Sequence, residues 1–164
     1  MADRKDFVSH QRLGWHKGFY NDSDTDKALS NIYYDSFFDF PEDEEFPYTS
    51  AGQLLRGSCH IFALSLKKTL NYSPYIIEGE NKTCFHAFCQ VYKKGIWFYV
   101  DARGITTSFD EFMEVAKEFV TDTYTIRPVC SSDIEEWSRE DSYYDYAVAF
   151  SESVIEKYKE CYTI

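Results

Sequence analysis

Four residues near the middle of the chain have the types and spacing that thiol chemistry requires: Gln53, Cys59, His86 and Asp101. Cys59 follows Gly57-Ser58, and Ser58 is a favourable N-cap that places Cys59 in the first turn of a helix. A helix N-terminus stabilises a thiolate and leaves backbone N–H groups free for a developing oxyanion. We therefore interpret Cys59 as a candidate nucleophile. The structural alternative is a packed, inert residue, as most free cysteines are.

His86 is the candidate base, because it is the polar residue of the otherwise apolar stretch "FHAF" and strand alternation places it on a mixed face. Asp101 ends the next predicted strand and is the candidate partner that orients the imidazole. A four-residue loop, Tyr92 to Gly95, pairs His86 directly with Asp101. A three-residue turn instead puts Ala102 opposite His86 and turns Asp101 away, unless a bulge corrects it. The structural alternatives are that His86 is a buried core histidine and that Asp101 only ends its strand.

A thiol activated by an imidazole, itself held by a third polar group, is the arrangement of nucleophilic catalysis. Gln53 lies six residues before Cys59. Its amide is a candidate oxyanion donor beside the Cys59 N–H if the intervening loop folds back. His60 cannot serve as the base by adjacency alone, because neighbouring residues on a helix point about 100° apart.

The order of these residues resembles that of the papain-like fold of cysteine peptidases. Gln53 comes first, Gly57-Ser58-Cys59 opens a helix, and His86 and a polar residue follow on successive strands. The third member in papain-type enzymes is usually Asn. Asp101 makes the set more similar to the transglutaminase-like and arylamine N-acetyltransferase branch. The stretch "GSCHIFALSL … HAF … GIWFYVDARGI" also looks like a group of small bacterial and phage proteins with a "CHxFAxAL … H … DxRG" pattern. The resemblance covers about residues 53–105 and implies a peptidase, amidase, deamidase or acyltransferase that needs no cofactor.

The elements that must position these residues form an α+β pattern: a buried helix that carries Cys59, packed on an antiparallel sheet, with flanking helices. We predict a single domain over 1–164, with an irregular arm over 1–24, a core over 53–129 and C-terminal helices over 131–162. Helices are predicted over 25–38, over 58–70, from the Ser108–Glu111 capping box onward, and in "SSDIEEW" and "DSYYDYAVAFSESVIEKYKEC". Strands are predicted in "SPYIIEG", "TCFHAFCQVY" and "IWFYVDARG", and "TYTIRPV" is predicted to be an edge strand.

Composition limits the classes of partner. The net charge is −11, which disfavours nucleic acid and anionic membranes as partners and allows a basic protein surface. The N-terminal segment has no apolar run, and the five cysteines are an odd number, which favours reduced thiols and a cytoplasmic location. The expected substrate is a protein or a small amide or ester. The sequence does not indicate the oligomeric state.

Two alternatives of other classes remain. A zinc site would use Cys84, His86 and Cys89, joined by Cys59 and His60, but Cys89 lies on the opposite strand face from the other two. A non-catalytic binding or inhibitor protein on the same fold would use its acidic surface, including "EDEE" at 42–45, to occupy a basic partner site, as a nucleic-acid mimic or phage anti-defence factor does. Arg103 is expected to pair with the acidic surface or to contact an anionic substrate group.

Overall fold

The computed structural model describes residues 15–19, 25–39, 49–80, 85–140 and 143–164. Its elements, in chain order, are β1 (Trp15–Gly18), α1 (Thr25–Ser30), a 3-10 turn (Tyr34–Ser36), α2 (Gly52–Leu55), α3 (Cys59–Leu70), β2 (Ser73–Gly79), β3 (Phe85–Lys93), β4 (Ile96–Asp101), β5 (Gly104–Thr106), α4 (Phe109–Ala116), β6 (Tyr124–Pro128), α5 (Ser131–Glu140), α6 (Tyr144–Lys157) and α7 (Lys159–Tyr162).

The strands form one antiparallel six-stranded sheet in the order β1-β5-β4-β3-β2-β6. Successive residues of the central strands face opposite sides of the sheet, and both sides are covered. Ala87 and Cys89 pack in the main core with α3 and α6, whereas Phe88 packs in a second core with Phe112 of α4. The fold is therefore α+β, with the sheet between helices.

Helix α3 occupies the centre of the main core, as its apolar circumference predicts. Ile61, Phe62 and Leu66 are almost fully buried against the sheet and α6. The helix begins at Cys59 and ends at Leu70, where Asn71 adopts the left-handed conformation with φ 61°. Asparagine tolerates this conformation at helix ends. The predicted helix is confirmed, and Cys59 is its first residue.

The β3–β4 hairpin differs from both predicted registers. Lys93 pairs with Ile96, so the connection is a two-residue turn of Lys94 and Gly95, both with positive φ. This is the turn type that matches strand twist, although Lys is an unusual residue for its first position. Continued along the ladder, the register puts Arg103 opposite His86. Asp101 then lies diagonally across from His86 on the same face, within reach of a long side chain.

Other predictions were partly wrong at element ends. Residues 15–18 form β1, which pairs with β5, whereas an irregular arm was expected there. Gly18 has φ +109° and lies so close to the Arg103 carbonyl that a Cβ atom would collide with it. The helix predicted over 25–38 ends at Ser30, and the long C-terminal helix breaks at Tyr158. Residues 1–14 and 20–24 of the arm, the acidic "EDEE" segment and Cys84 lie outside the described residues.

The short segments β5 and α2 were not predicted. Strand β5 is three residues long and is joined to β4 by a two-residue turn, because Asp101 pairs with Gly104. The edge position of β6 was predicted and is confirmed. The Ser108 hydroxyl accepts a hydrogen bond from the Glu111 N–H at 3.3 Å, so the predicted start of α4 is also confirmed.

Candidate active site

Cys59 lies where α3 begins, and the residue is 5% exposed. The Ala87 N–H of β3 donates a hydrogen bond to Cys59 Sγ at 3.4 Å, which ties the sulfur to the strand that carries His86. In the part of the chain that the structure describes, the Cys59 N–H donates no hydrogen bond, as expected at a helix N-terminus. Ser58 is at the N-cap position, but its hydroxyl makes no capping bond and is buried.

His86 is fully buried in an aromatic cage. The rings of Phe88, Phe112 and Phe119 lie 6.4, 5.8 and 5.9 Å from the imidazole, and those of Phe88 and Phe119 are nearly parallel to it. The Nε2 atom lies 3.1 Å from Asp101 Oδ2, so this bond fixes the ring. Among the described residues Nδ1 has no hydrogen-bond partner, so only one of the two ring nitrogens is engaged.

Asp101 is itself anchored by Arg103, a residue that the sequence did not place in the site. The Arg103 guanidinium donates to Asp101 Oδ2 at 2.7 Å and Oδ1 at 3.1 Å, and the Arg103 N–H donates to Oδ1 at 2.9 Å. The guanidinium also donates to the carbonyls of Glu111 and Phe112 in α4. The expectation that Arg103 pairs with the acidic surface was wrong, because the guanidinium is buried inside the β4–β5 turn.

The electrostatics of this chain of groups favour an ionised pair. Burial raises the pKa of the Cys59 thiol, but the imidazoles of His60 and His86 and the Ala87 N–H lower that pKa to about 6. Burial lowers the pKa of His86, whereas the Asp101 carboxylate and the Cys59 thiolate raise it to about 9. Burial also raises the pKa of Asp101, yet the Arg103 guanidinium and His86 hold it well below its usual range. Between the pKa of Cys59, about 6, and the pKa of His86, about 9, the site therefore holds a thiolate, an imidazolium and a carboxylate.

Unpartnered polar atoms concentrate at this site. Among the described residues four buried side-chain nitrogen or oxygen atoms have no hydrogen-bond partner, and three of them are His86 Nδ1 and the atoms Ser58 Oγ and His60 Nδ1 on either side of Cys59. A buried polar group without a partner costs about 1–3 kcal/mol, so such groups are rare and need an explanation. A reacting group bound at Cys59 would supply the missing partners.

Gln53 lies in α2, and its side chain is exposed. The loop to Cys59 folds back as required, because the Ser58 N–H donates to the Gln53 carbonyl at 2.8 Å. The Gln53 Oε1 atom lies beside Gly57, 3.5 Å from where a Cβ atom at that glycine would be. The structure therefore brings Gln53 near the loop that precedes Cys59, and its role as an oxyanion donor stays a prediction.

The turn that follows α4 packs against the site. Phe119 stacks over His86, and the preceding residue, Glu118, forms a two-pronged ion pair with Arg56, three residues before Cys59. The Arg56 and Glu118 side chains are 34% and 46% exposed. An exposed pair of this kind contributes about 0.2–1 kcal/mol, so it joins the turn after α4 to the loop before Cys59 only weakly. We refer to Arg56, Glu118 and Phe119 as the cover.

No cluster of three or more metal-ligating side chains occurs in the described ranges. Cys89 donates its S–H to the Ala63 carbonyl at 3.3 Å in the main core, on the opposite sheet face from His86. Cys89 therefore cannot join His86 in the zinc site that was considered as an alternative. Cys84 lies outside the described residues. Cys161 is buried and Cys130 is exposed.

Comparisons of the chain with protein-family models, with curated proteins and with solved structures found no match. No helix in the described part of the chain combines the length and the apolar character that crossing a bilayer requires.

Proposed function

We propose that this chain carries out thiol-dependent acyl chemistry on a papain-like or transglutaminase-like core. One observation carries the proposal: the His86 imidazole is fixed through Nε2 by Asp101, its buried Nδ1 has no partner among the described residues, and the Ala87 N–H holds the Cys59 sulfur against the same strand. A nucleophile, a base and a group that orients the base are the three parts that such catalysis requires. The Cys-bearing helix packed on an antiparallel sheet supports the core.

In the first half of the proposed reaction, the Cys59 thiolate attacks the carbonyl carbon of an amide or ester, and a C–S bond forms. The oxyanion receives hydrogen bonds from the Cys59 N–H and the Gln53 amide. The His86 imidazolium gives its Nδ1 proton to the leaving amine or alcohol as the C–N or C–O bond breaks. Asp101 keeps the ring oriented and stabilises its charge.

In the second half, neutral His86 takes a proton from the acceptor, which attacks the thioester and expels the Cys59 thiolate. Water as acceptor makes the protein a peptidase, amidase or deamidase, and an amine as acceptor makes it a transferase. We favour hydrolysis, since water is always present. The reaction as written requires no cofactor.

A second candidate function has its own support, because the Cys59 residue is only 5% exposed and His86 and Asp101 are buried. A non-catalytic protein with a net charge of −11 would leave this cleft closed and bind a basic partner through its acidic surface. Such a protein would act as an inhibitor, for example as a phage anti-defence factor or nucleic-acid mimic. In that case the thiol is dispensable.

The two functions separate when the protein is treated with p-nitrophenyl acetate, an activated ester that needs no specific pocket. Acyl chemistry predicts release of p-nitrophenolate beyond one equivalent and a thioester on Cys59 in the intact mass spectrum. Cys59→Ser and His86→Gln should abolish both signals, and Cys130→Ser, which removes an exposed thiol, should leave them unchanged. Acylation confined to Cys130, even after Phe119→Ala removes part of the cover, would favour the binding protein.

A further inference from the structure

Three aromatic rings form a cluster beside the proposed nucleophile, and the proposed reaction has no role for them. They belong to His60 of α3, Phe85 of β3 and Trp137 of α5, and each residue is half-buried. Between ring centres, His60 lies 5.0 Å from Trp137 and 6.1 Å from Phe85, and Phe85 stacks on Trp137 at 5.9 Å. We refer to these three rings as the aromatic cluster.

The aromatic cluster adjoins the proposed catalytic residues on two of its three elements. His60 directly follows Cys59, and Phe85 directly precedes His86. Successive strand residues face opposite sides of the sheet, so Phe85 shares its face with Ala87, on the side of the main core, and not with His86. The Ala87 N–H donates to the Cys59 sulfur at 3.4 Å. An acyl group bonded to that sulfur therefore has to extend by about 7 Å, the rise of two strand residues, to reach Phe85.

Trp137 differs from the rest of its helix. Apart from one isoleucine, it is the only large apolar residue of α5. One turn earlier, Asp133 accepts hydrogen bonds from Arg127 of β6 at 2.8 and 3.0 Å, and Arg127 also donates to the buried Glu78 of β2 at 2.9 Å. A polar helix is thus fastened to the sheet near its N-terminal end, and this attachment holds its one large ring against His60 and Phe85.

Core packing alone does not account for the aromatic cluster. Phe85 and Trp137 pack against the main core but are only partly buried. The His60 Nδ1 atom is buried and has no hydrogen-bond partner among the described residues. A buried polar atom without a partner is unfavourable, and a polar group of a bound ligand would satisfy it. Half-buried ring surface with a few polar atoms is also the usual lining of a small-molecule site.

We propose that the aromatic cluster is the subsite for the acyl group of the substrate and selects acyl groups with an aromatic or large apolar side chain. The inference rests on the proposed role of Cys59 as nucleophile and adds the class of substrate. The leaving group has to lie at His86, whose side chain is on the opposite face of β3, so the face of Phe85 is left for the acyl group. A side chain that covers Phe85 and Trp137 positions the carbonyl carbon at the sulfur.

The test compares acylation of Cys59 by p-nitrophenyl acetate and by p-nitrophenyl phenylacetate, which differ only in the phenyl ring of the acyl group. A Cys130→Ser background leaves no exposed cysteine among the described residues. Release of p-nitrophenolate gives each rate, and the rate of each ester with free N-acetylcysteine corrects for its intrinsic reactivity. We expect the corrected ratio to favour the phenylacetyl ester about tenfold, the effect of burying part of a phenyl ring.

Trp137→Ala should remove most of this preference, and Trp137→Phe, which keeps a ring, should retain part of it. Trp97→Ala is the matched control, because Trp97 also lies 5.0 Å from a neighbouring ring, that of Tyr92, and is 43% exposed. Tyr92 is six residues along β3 from His86, about 20 Å away. The control therefore removes a tryptophan from a remote aromatic pair and should leave the ratio unchanged.

The remaining outcomes separate the subsite from the proposed function. If both esters acylate Cys59 but the corrected ratio is near one, or if Trp137→Ala leaves it unchanged, the subsite is refuted and the proposed function stands. If the p-nitrophenyl ester of betaine, a trimethylammonium acyl group, is preferred to the phenylacetyl ester, the cluster selects cations and the apolar class is wrong. If neither ester acylates Cys59, the proposed function fails and the subsite fails with it.

Circular dichroism establishes that each variant is folded. Should Trp137→Ala unfold, Phe85→Leu takes its place, because it also removes a ring from the aromatic cluster while keeping an apolar side chain. The same loss of preference is expected, and an unchanged ratio in Phe85→Leu would overturn the subsite.

Discussion

Replacing Asp101 with Asn should narrow the pH range over which the Cys59 thiolate and the His86 imidazolium coexist. The substitution keeps the shape of the side chain and removes its charge. In the wild type the pair exists between the thiol pKa of about 6 and the imidazole pKa of about 9. The carboxylate favours the protonated ring, so the imidazolium is lost as the pH rises through the upper limit.

The expected size of the change follows from the single bond that is weakened. Asp101 Oδ2 lies 3.1 Å from His86 Nε2 in a buried site. A hydrogen bond to a charged group contributes about 1.5–3 kcal/mol, and one pKa unit corresponds to 1.36 kcal/mol, so the His86 midpoint should fall by about one to two units. A less protonated ring stabilises the thiolate less, so the Cys59 midpoint should rise in turn. The pH range over which the thiolate and the imidazolium coexist then becomes narrower at both its lower and its upper limit.

The assay is a 15N NMR titration of labelled histidine, with the His86 signal assigned from His86→Gln. Asp133→Asn is the matched control, because Asp133 also accepts two bonds from an arginine, Arg127, at 2.8 and 3.0 Å, but does not contact the site. That control should leave His86 unchanged. A His86 midpoint in Asp101→Asn within a few tenths of a unit of the wild type would refute the role of Asp101 as the group that charges the imidazole.

Three further predictions concern the supports of the site. Arg103→Met leaves a buried carboxylate without its guanidinium and should lower the free energy of unfolding in urea by about 3–5 kcal/mol; a loss below about 1 kcal/mol would contradict a buried ion pair. Glu118→Gln removes the exposed ion pair of the cover and should speed alkylation of the nucleophilic thiol by up to about fivefold, whereas Glu152→Gln, which breaks an exposed pair with Lys68, should not change it. Tyr162→Phe removes a 2.7 Å hydrogen bond to the β4–β5 turn and should cost about 1–1.5 kcal/mol by the same denaturation measurement, and an unchanged stability would show that α7 does not support the turn.

The parts of the fold that follow from local pattern were predictable. The buried circumference of α3 and the apolar runs of β2, β3 and β4 specify their elements without help from the rest of the chain. Short segments behave differently. The four residues of β1 and the three of β5 are extended because they pair with each other, and nothing in a four-residue polar sequence such as "WHKG" indicates that partner.

The register of the β3–β4 hairpin shows why the candidate site was predicted for a partly wrong reason. The loop was expected to be three or four residues long, and Lys94 is not the Asn or Asp that favours a two-residue turn with positive φ. The two-residue turn moves Asp101 from directly opposite His86 to a diagonal position. Both positions have the same parity, so the side chain stays on the correct face. Arg103 was missed because only the closed turn brings its guanidinium back onto Asp101.

The cover and the ionised pair are both consistent with the proposed catalytic role. A buried charge pair is seldom the most stable filling for a core, because apolar residues of similar volume avoid the desolvation cost. The second core already has Phe88 and Phe112 to fill it, so packing alone does not require His86 there. Excluding water strengthens each interaction in the Cys59, His86 and Asp101 chain. The covering contacts above it are one aromatic ring and one half-exposed ion pair, which a substrate can displace at small cost. A protein that only bound partners through its acidic surface would gain nothing from unpartnered polar atoms on both sides of Cys59.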